Sequence, residues 1–172
     1  MLNITPEWLL HYLGMFSPYI LIFITVLLLR NKHTYLNFLI IGSILNILLN
    51  IILKLILKEP RPNSNHYGIQ LGTLYGIPIP FHAYGMPSGH AQTCGFLLAL
   101  VTYIFHNPSI TCMYIILTFI IMIQRYLTQM HTITQLVAGL FVGYSFGYIT
   151  YTLATRKIVG NIQLKLDDFA PK

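Results

Sequence analysis

Long apolar runs and short polar islands alternate along the chain. Apolar residues fill positions 8–29, 34–57, 90–105, 110–124 and 132–154. A membrane helix needs about 20 predominantly apolar residues, so the pattern predicts five of them. The third and fourth runs are short, and the fourth can continue through Arg125 toward Met130. Asn31-Lys32-His33, His106-Asn107-Pro108-Ser109 and the stretch around Gln129–His131 supply the turns. Residues 58–89 form the one long connection, rich in Pro, Gly, Asn and Tyr, and a connection of that length is functional or folded in its own right. Its Tyr67, Tyr75, Phe81 and Tyr84 suit a membrane surface. The expected fold is one all-α membrane domain over 1–172, a bundle of five transmembrane helices with the 58–89 loop over one face and 155–172 as a tail. No internal repeat or second domain is visible.

Composition supports this reading. Hydrophobic residues make up 55% of the 172 and charged residues 8%, against roughly 25% charged in a soluble domain. Such a chain cannot cover a water-facing surface with polar groups. Its net charge of +6 comes from scattered cations without a basic run, which sets nucleic acid aside. Cys94 and Cys112 lie in apolar segments and read as small buried residues, neither disulfide-bonded nor metal-binding. Seven histidines stand beside only two cysteines and four acids, which argues against a zinc or di-metal hydrolase, and no cofactor is expected. The first thirty residues lack a basic start and an A-x-A cleavage site, so they read as an uncleaved anchor, and the sequon Asn3-Ile4-Thr5 lies too close to the first span to be used.

Three islands interrupt the apolar runs: Lys54-(six residues)-Arg61-Pro62, Pro87-Ser88-Gly89-His90 and Arg125-(five residues)-His131. They hold three cations, two histidines, a serine and a glycine turn, with the single acid Glu59 beside them. Cations and backbone N–H groups can neutralise phosphoryl oxygens while one histidine attacks and the other serves the leaving group. In an apolar chain, this inventory points to a phosphate carried by a lipid.

Each island alone has a plainer reading. Lys54 and Lys58, one turn apart on a shared face, read as cations snorkelling at a helix C-terminus, yet Lys54 lies deep and lacks an obvious acidic partner. Pro60 and Pro62 stop that helix and leave Arg61 in extended backbone. Ser88 caps a helix start and Gly89 permits close approach to a ligand, or the two form an ordinary cap beside an interfacial His90. Arg125 and His131 bracket a turn, as interfacial residues also do. Gln135, one turn beyond His131, can accept the Nδ1 proton and leave Nε2 free to attack phosphorus. His11, His33, His66, His82 and His106 have no such company and read as interfacial or loop residues.

Topology brings the islands together. With five crossings, Lys54 to Arg61, Pro87 to His90, and Arg125 to His131 all reach one membrane face. Arg30, Lys32, Arg156, Lys157, Lys165 and Lys172 all fall at the other. The positive-inside rule makes that second face cytoplasmic, so the islands and the 58–89 loop look into a lumen or out of the cell.

In this order and spacing the islands resemble the signature of the type 2 phosphatidic acid phosphatase superfamily: Lys-(six)-Arg-Pro, Pro-Ser-Gly-His and Ser-Arg-(five)-His-(three)-Asp. Lys54, Arg61 and Pro62 match the first part, Pro87 to His90 the second, and Arg125 and His131 the third. Gln124 stands where the family has serine, and Gln135 where it has aspartate. His131-Thr132-Ile133-Thr134-Gln135 and Gly85-Met86-Pro87-Ser88 are similar to the dolichyl diphosphatase branch, whose members remove the terminal phosphate of a polyprenyl diphosphate on the lumenal side. The resemblance implies six helices, one more than the five counted here. It also implies His131 as nucleophile, His90 as acid and then base, and Lys54, Arg61, Ser88, Gly89 and Arg125 as phosphate holders, without a metal.

The resulting expectation is a lipid phosphatase of the membrane bilayer acting on a polyprenyl diphosphate. The alternatives are the same chemistry on phosphatidic acid or another lipid monophosphate, and a non-catalytic lipid-phosphate binder, which the loss of the aspartate at Gln135 would favour. If the site is otherwise that of a standard enzyme of this kind, Gln135→Asp is tolerated or raises the rate, provided that the buried carboxylate finds a partner.

Overall fold

The computed structural model describes residues 6–62 and 84–159. Five helices make up almost all of them: α1 (Pro6–Leu29), α2 (His33–Leu57), α3 (Gly89–Phe105), α4 (Pro108–Leu127) and α5 (Ile133–Val159). The protein is an all-α membrane protein. Among the described residues, three helices are long and apolar enough to cross a bilayer: α2, α4 and residues Ile133–Arg156 of α5. The 17-residue α3 and the Phe16–Leu29 part of α1 are apolar but shorter.

The helix ends follow from local chemistry. Asn107 caps α4, its side chain accepting from the N–H groups of Ser109 and Ile110, and Pro108 occupies the first helical position, where no donor is needed. The fourth helix then runs through Arg125, as its sequence allows. α2 ends at Leu57. Lys58 turns into the left-handed region at φ 49° and its N–H bonds the Lys54 carbonyl. Lys54 and Lys58 therefore do not share a helical face: Lys54 is buried and Lys58 exposed.

α3 packs against each of the other four helices and most extensively against α5. Gly139, Gly143 and Gly147 form a stripe on α5 that lies against the backbone of Ser88, Gln92 and Phe96 on and just before α3, while Gly95 of α3 faces the backbone of Leu140 and Tyr144. Small residues four apart let two helix backbones approach without intervening side chains, which is how helices gain packing where water offers no hydrophobic drive. Around this seam lies a core of Leu39, Phe96, Leu97, Leu100, Tyr114 and their neighbours. The remaining faces of α2, α4 and α5 carry exposed Ile, Leu and Phe along their length, which suits lipid.

Cys94 is buried, as expected, but Cys112 is exposed on the outer side of α4, because that face turns away from the core; both are free. At the end of the bundle that holds the α1–α2 turn, Lys32 lies 5.9 Å over the Tyr35 ring, and Tyr35 stacks on Tyr151 of α5. Arg30, Lys32 and Arg156 thus gather at one end. The sequon at Asn3, the loop residues His66, Tyr67, Tyr75, Phe81 and His82, and Lys165 and Lys172 of the tail lie outside the described residues, as does most of the 58–89 loop.

Gly143→Ala tests the seam. Its Cβ would run into the Gln92 backbone, and overpacking of this kind costs roughly 1–3 kcal/mol. Thermal unfolding in detergent should show a clear loss for Gly143→Ala and none for Val137→Ala on the exposed face of the same helix.

Candidate active site

The buried stripe of α2 runs Tyr35, Leu39, Gly42, Asn46, Asn50, Lys54, apolar at one end of the helix and polar at the other. Asn46 and Asn50 meet Gln92 of α3. The Gln92 amide N–H₂ donates to the Asn46 carbonyl and Oδ1, both at 2.9 Å, and Asn50 Nδ2 donates to Gln92 Oε1 at 2.8 Å and to the Pro87 carbonyl at 3.2 Å. This ladder fixes the Pro87-Ser88-Gly89-His90 turn against α2. One turn further along the stripe, Lys54 Nζ donates to the Tyr84 carbonyl at 2.6 Å. Sequence reading picked out Lys54 but missed the ladder, although Asn46, Asn50 and Lys54 four residues apart on an apolar helix are its signal.

Ser88 is the N-cap of α3: it has extended backbone and accepts from the Ala91 N–H at 3.5 Å. Its own N–H donates to the Gln135 carbonyl at 3.0 Å, which ties this turn to α5. A Cβ on Gly89 would make only an ordinary contact, 3.4 Å from Asn50 Oδ1, so packing against α2 does not itself demand glycine. His90 is half-buried in the first turn of α3 and acts electrostatically on His131.

His131 is 3% exposed and bonded on both sides of its ring. Nδ1 lies 3.1 Å from Gln135 Oε1, and Nε2 lies 3.2 Å from Arg61 Nη1. A guanidinium can only donate, so Nε2 accepts, and Nδ1 carries the proton that it gives to Gln135. Arg61 also donates to the Met130 carbonyl at 3.3 Å. Arg125, at the end of α4, is buried, and its Nε and Nη2 make no hydrogen bond among the described residues. Arg61 acts electrostatically on Lys54, Arg125 and His131, so it links the other two cations to the ring it touches at Nε2. Burial lowers Arg61 to about 10, which leaves it cationic at neutral pH.

Gln135 has a second duty that the sequence reading did not see. Thr132 and Gln135 form a capping box at the start of α5: the Gln135 N–H donates to Thr132 Oγ1 at 3.2 Å, and the Thr132 N–H to Gln135 Oε1 at 3.3 Å. The signal, T-x-x-Q before an apolar run, was present. Gln124, by contrast, turns away from the cations: its amide lies against Gly14 of α1, which has no room for a side chain there.

The sequence pattern of the PAP2 superfamily matches residues 32–158, from the start of α2 nearly to the end of α5. The chain belongs to the PAP2 superfamily. The chain is also similar to "Palmitoyl-protein thioesterase-dolichyl pyrophosphate phosphatase fusion 1" of Schizosaccharomyces pombe, 30% identical over 151 residues. That alignment covers 78% of the chain but 22% of the relative, so the chain spans less than a quarter of that protein's length. No solved structure matches.

The His131 ring should stay neutral through the range where histidine normally titrates. Burial, then Arg61 and Lys54, hold its pKa well below 6.5, with the Gln135 bond acting in the opposite direction. As pH falls below 6.5 the unfolded chain takes up this proton and the folded chain does not, so stability declines on the acid side. Ring ¹⁵N shifts of His131 that still report the neutral form at pH 6 would bear this out, and an imidazolium there would contradict it.

Proposed function

We propose that the chain is a metal-independent lipid phosphatase that removes the terminal phosphate of a polyprenyl diphosphate through a phosphohistidine. The observation that carries this reading is the His131 ring. Its Nδ1–H is tied to Gln135, and its Nε2 lone pair points toward Arg61, with Lys54 also acting on the ring and Arg125 acting on Arg61. A terminal phosphoryl group arriving there would take over the Arg61 donors and meet Nε and Nη2 of Arg125, which make no hydrogen bond among the described residues. Ser88, the Gly89 backbone and the N-terminus of α3 would hold its remaining oxygens.

The chemistry then runs in two steps. The Nε2 lone pair of His131 attacks the terminal phosphorus, and the bond from phosphorus to the bridging oxygen breaks. His90 gives that oxygen its proton and releases a polyprenyl monophosphate. A water that loses its proton to His90 next attacks phosphorus, the P–N bond breaks, and orthophosphate and neutral His131 are restored. The charge on the phosphoryl oxygens is met by Lys54, Arg61 and Arg125, so no step needs a metal.

A polyprenyl diphosphate is favoured as substrate by the Schizosaccharomyces pombe relative, named as a dolichyl pyrophosphate phosphatase in one part. Phosphatidic acid, or another lipid monophosphate, would use the same groups. The membrane reading has the chain cross five times, with the site on the lumenal or outer side. The gathering of Arg30, Lys32 and Arg156 at the end that carries the α1–α2 turn supports it.

Protein purified in detergent should release phosphate from a polyprenyl diphosphate with chelator present, and faster than from phosphatidic acid. His131→Ala should abolish both turnover and trapped phosphoenzyme, and His90→Ala should slow both steps. Loss of activity in chelator with recovery on adding zinc or magnesium would overturn the mechanism, and a preference for phosphatidic acid would overturn the substrate.

Gln135→Asp should fail where its sequence suggested tolerance. The Gln135 amide N–H₂ donates to Glu59 Oε1 at 2.8 Å and to the Pro60 carbonyl at 2.9 Å. An aspartate would turn a carboxylate toward another carboxylate and a carbonyl, so turnover should fall at least as far as in Gln135→Ala.

A further inference from the structure

Glu59 is the acid nearest the three islands in the sequence, and neither mechanistic step above uses it. It follows α2 directly, and its backbone is fixed: its carbonyl accepts from the Gly85 N–H at 2.7 Å, and the next residue, Pro60, pairs with Tyr84 as an isolated antiparallel bridge. The two ends of the long connection are thereby clipped together beside α5. Gly85 also leaves space that a side chain would deny to the Gln135 amide.

Within that clip the Gln135 amide is saturated. Its Oε1 accepts from His131 Nδ1–H and from the Thr132 N–H, and its Nε2 donates to Glu59 Oε1 and to the Pro60 carbonyl. A primary amide has two donors and two acceptor positions, so all four are used. Amide orientation follows from the partners. The carboxylate and the Pro60 carbonyl are obligate acceptors, so Nε2 must face them and Oε1 must face His131.

We propose that Glu59 is a positioning residue for His131, acting through Gln135, so that a carboxylate–amide–imidazole chain does the work of a direct carboxylate partner. The negative charge sits one side chain further from the ring. It polarises the Gln135 amide, strengthens its carbonyl as acceptor for Nδ1–H, and stabilises the positive charge that the ring develops as Nε2 attacks phosphorus. The proposal rests on the phosphohistidine reading for its kinetic consequence but not for its structural one. The tautomer of His131 is a property of the protein without substrate.

The groups facing the ring are Lys54 from α2, Arg61 from the connection, His90 from α3 and Gln135 from α5, with Arg125 of α4 acting on Arg61. Glu59 supplies the negative charge behind them. Its removal should therefore make the imidazolium harder to form and move the acidic limb of the rate profile to lower pH.

The test uses Glu59→Gln and Glu59→Leu in the full chain, purified in detergent, with His131 ring ¹⁵N spectra and steady-state kinetics on a polyprenyl diphosphate. Glutamine keeps an acceptor without the charge. It should preserve the Nδ1–H tautomer while kcat falls about tenfold, as expected for a lost charge-assisted contact, with KM nearly unchanged and the acidic limb displaced downward. Leucine removes the acceptor as well and should cost more kcat. Arg61, the Thr132 N–H and the Pro60 carbonyl still hold the Nδ1–H tautomer, while the Nδ1 ¹⁵N shift moves as the bond to Gln135 weakens. The Nδ1 ¹⁵N shift decides the positioning role even in a protein that hydrolyses nothing. An Nε2–H ring in the wild type, or a Glu59→Leu protein with a wild-type Nδ1 shift, would overturn the proposal.

Discussion

One neutral side chain, the amide of Gln135, holds together elements that are distant in sequence. It closes the first turn of α5 through its capping box with Thr132, reaches the segment after α2 at Glu59 and Pro60, and fixes the ring of His131. Each such bond contributes only about 1 kcal/mol net. The larger effect is in what leaving one unmade would cost, because the residue is fully buried and every partner has a fixed donor or acceptor sense. A change at this position is therefore read at once by a helix terminus, a loop clip and a histidine tautomer.

Around that amide the site concentrates positive charge at low dielectric. Lys54 and Arg125 are buried and Arg61 is partly so, with Glu59 as the nearby acid. Burying cations without full compensation is costly, and an anion is the natural partner for the Arg125 donors that make no hydrogen bond among the described residues. Burial, and then this same field, keeps His131 neutral, which preserves the Nε2 lone pair.

The scaffold achieves this through close backbone packing. The glycine stripe of α5 sets it against α3 so tightly that the Ser88 N–H reaches the Gln135 carbonyl, and the Asn46–Gln92–Asn50 ladder holds the same turn from the other side. The start of α3 is gripped by two helices. In lipid, where apolar contact alone does not select a helix pair, such interhelical hydrogen bonds and small-residue seams decide the arrangement.

The sequence by itself determined the five helices, because apolar runs of this length have no other stable solution in a bilayer. It determined the cap at Ser88, the turn at His106-Asn107-Pro108-Ser109 and the family, and it led to the expectation that Lys54, Arg61, His90 and His131 converge, as they do. It also pointed to the His131–Gln135 pair, since residues four apart straddling a helix start lie close together. Only the tertiary structure decided which way the Gln135 amide faces, because that depends on Glu59 and Pro60, more than seventy residues away in the chain and brought near by packing. It likewise decided that Gln124 turns toward Gly14, that Cys112 faces outward and that Lys58 leaves the face of Lys54. Periodicity states which residues share a helix face, but the direction of a side chain's hydrogen bonds is set by the elements packed against it.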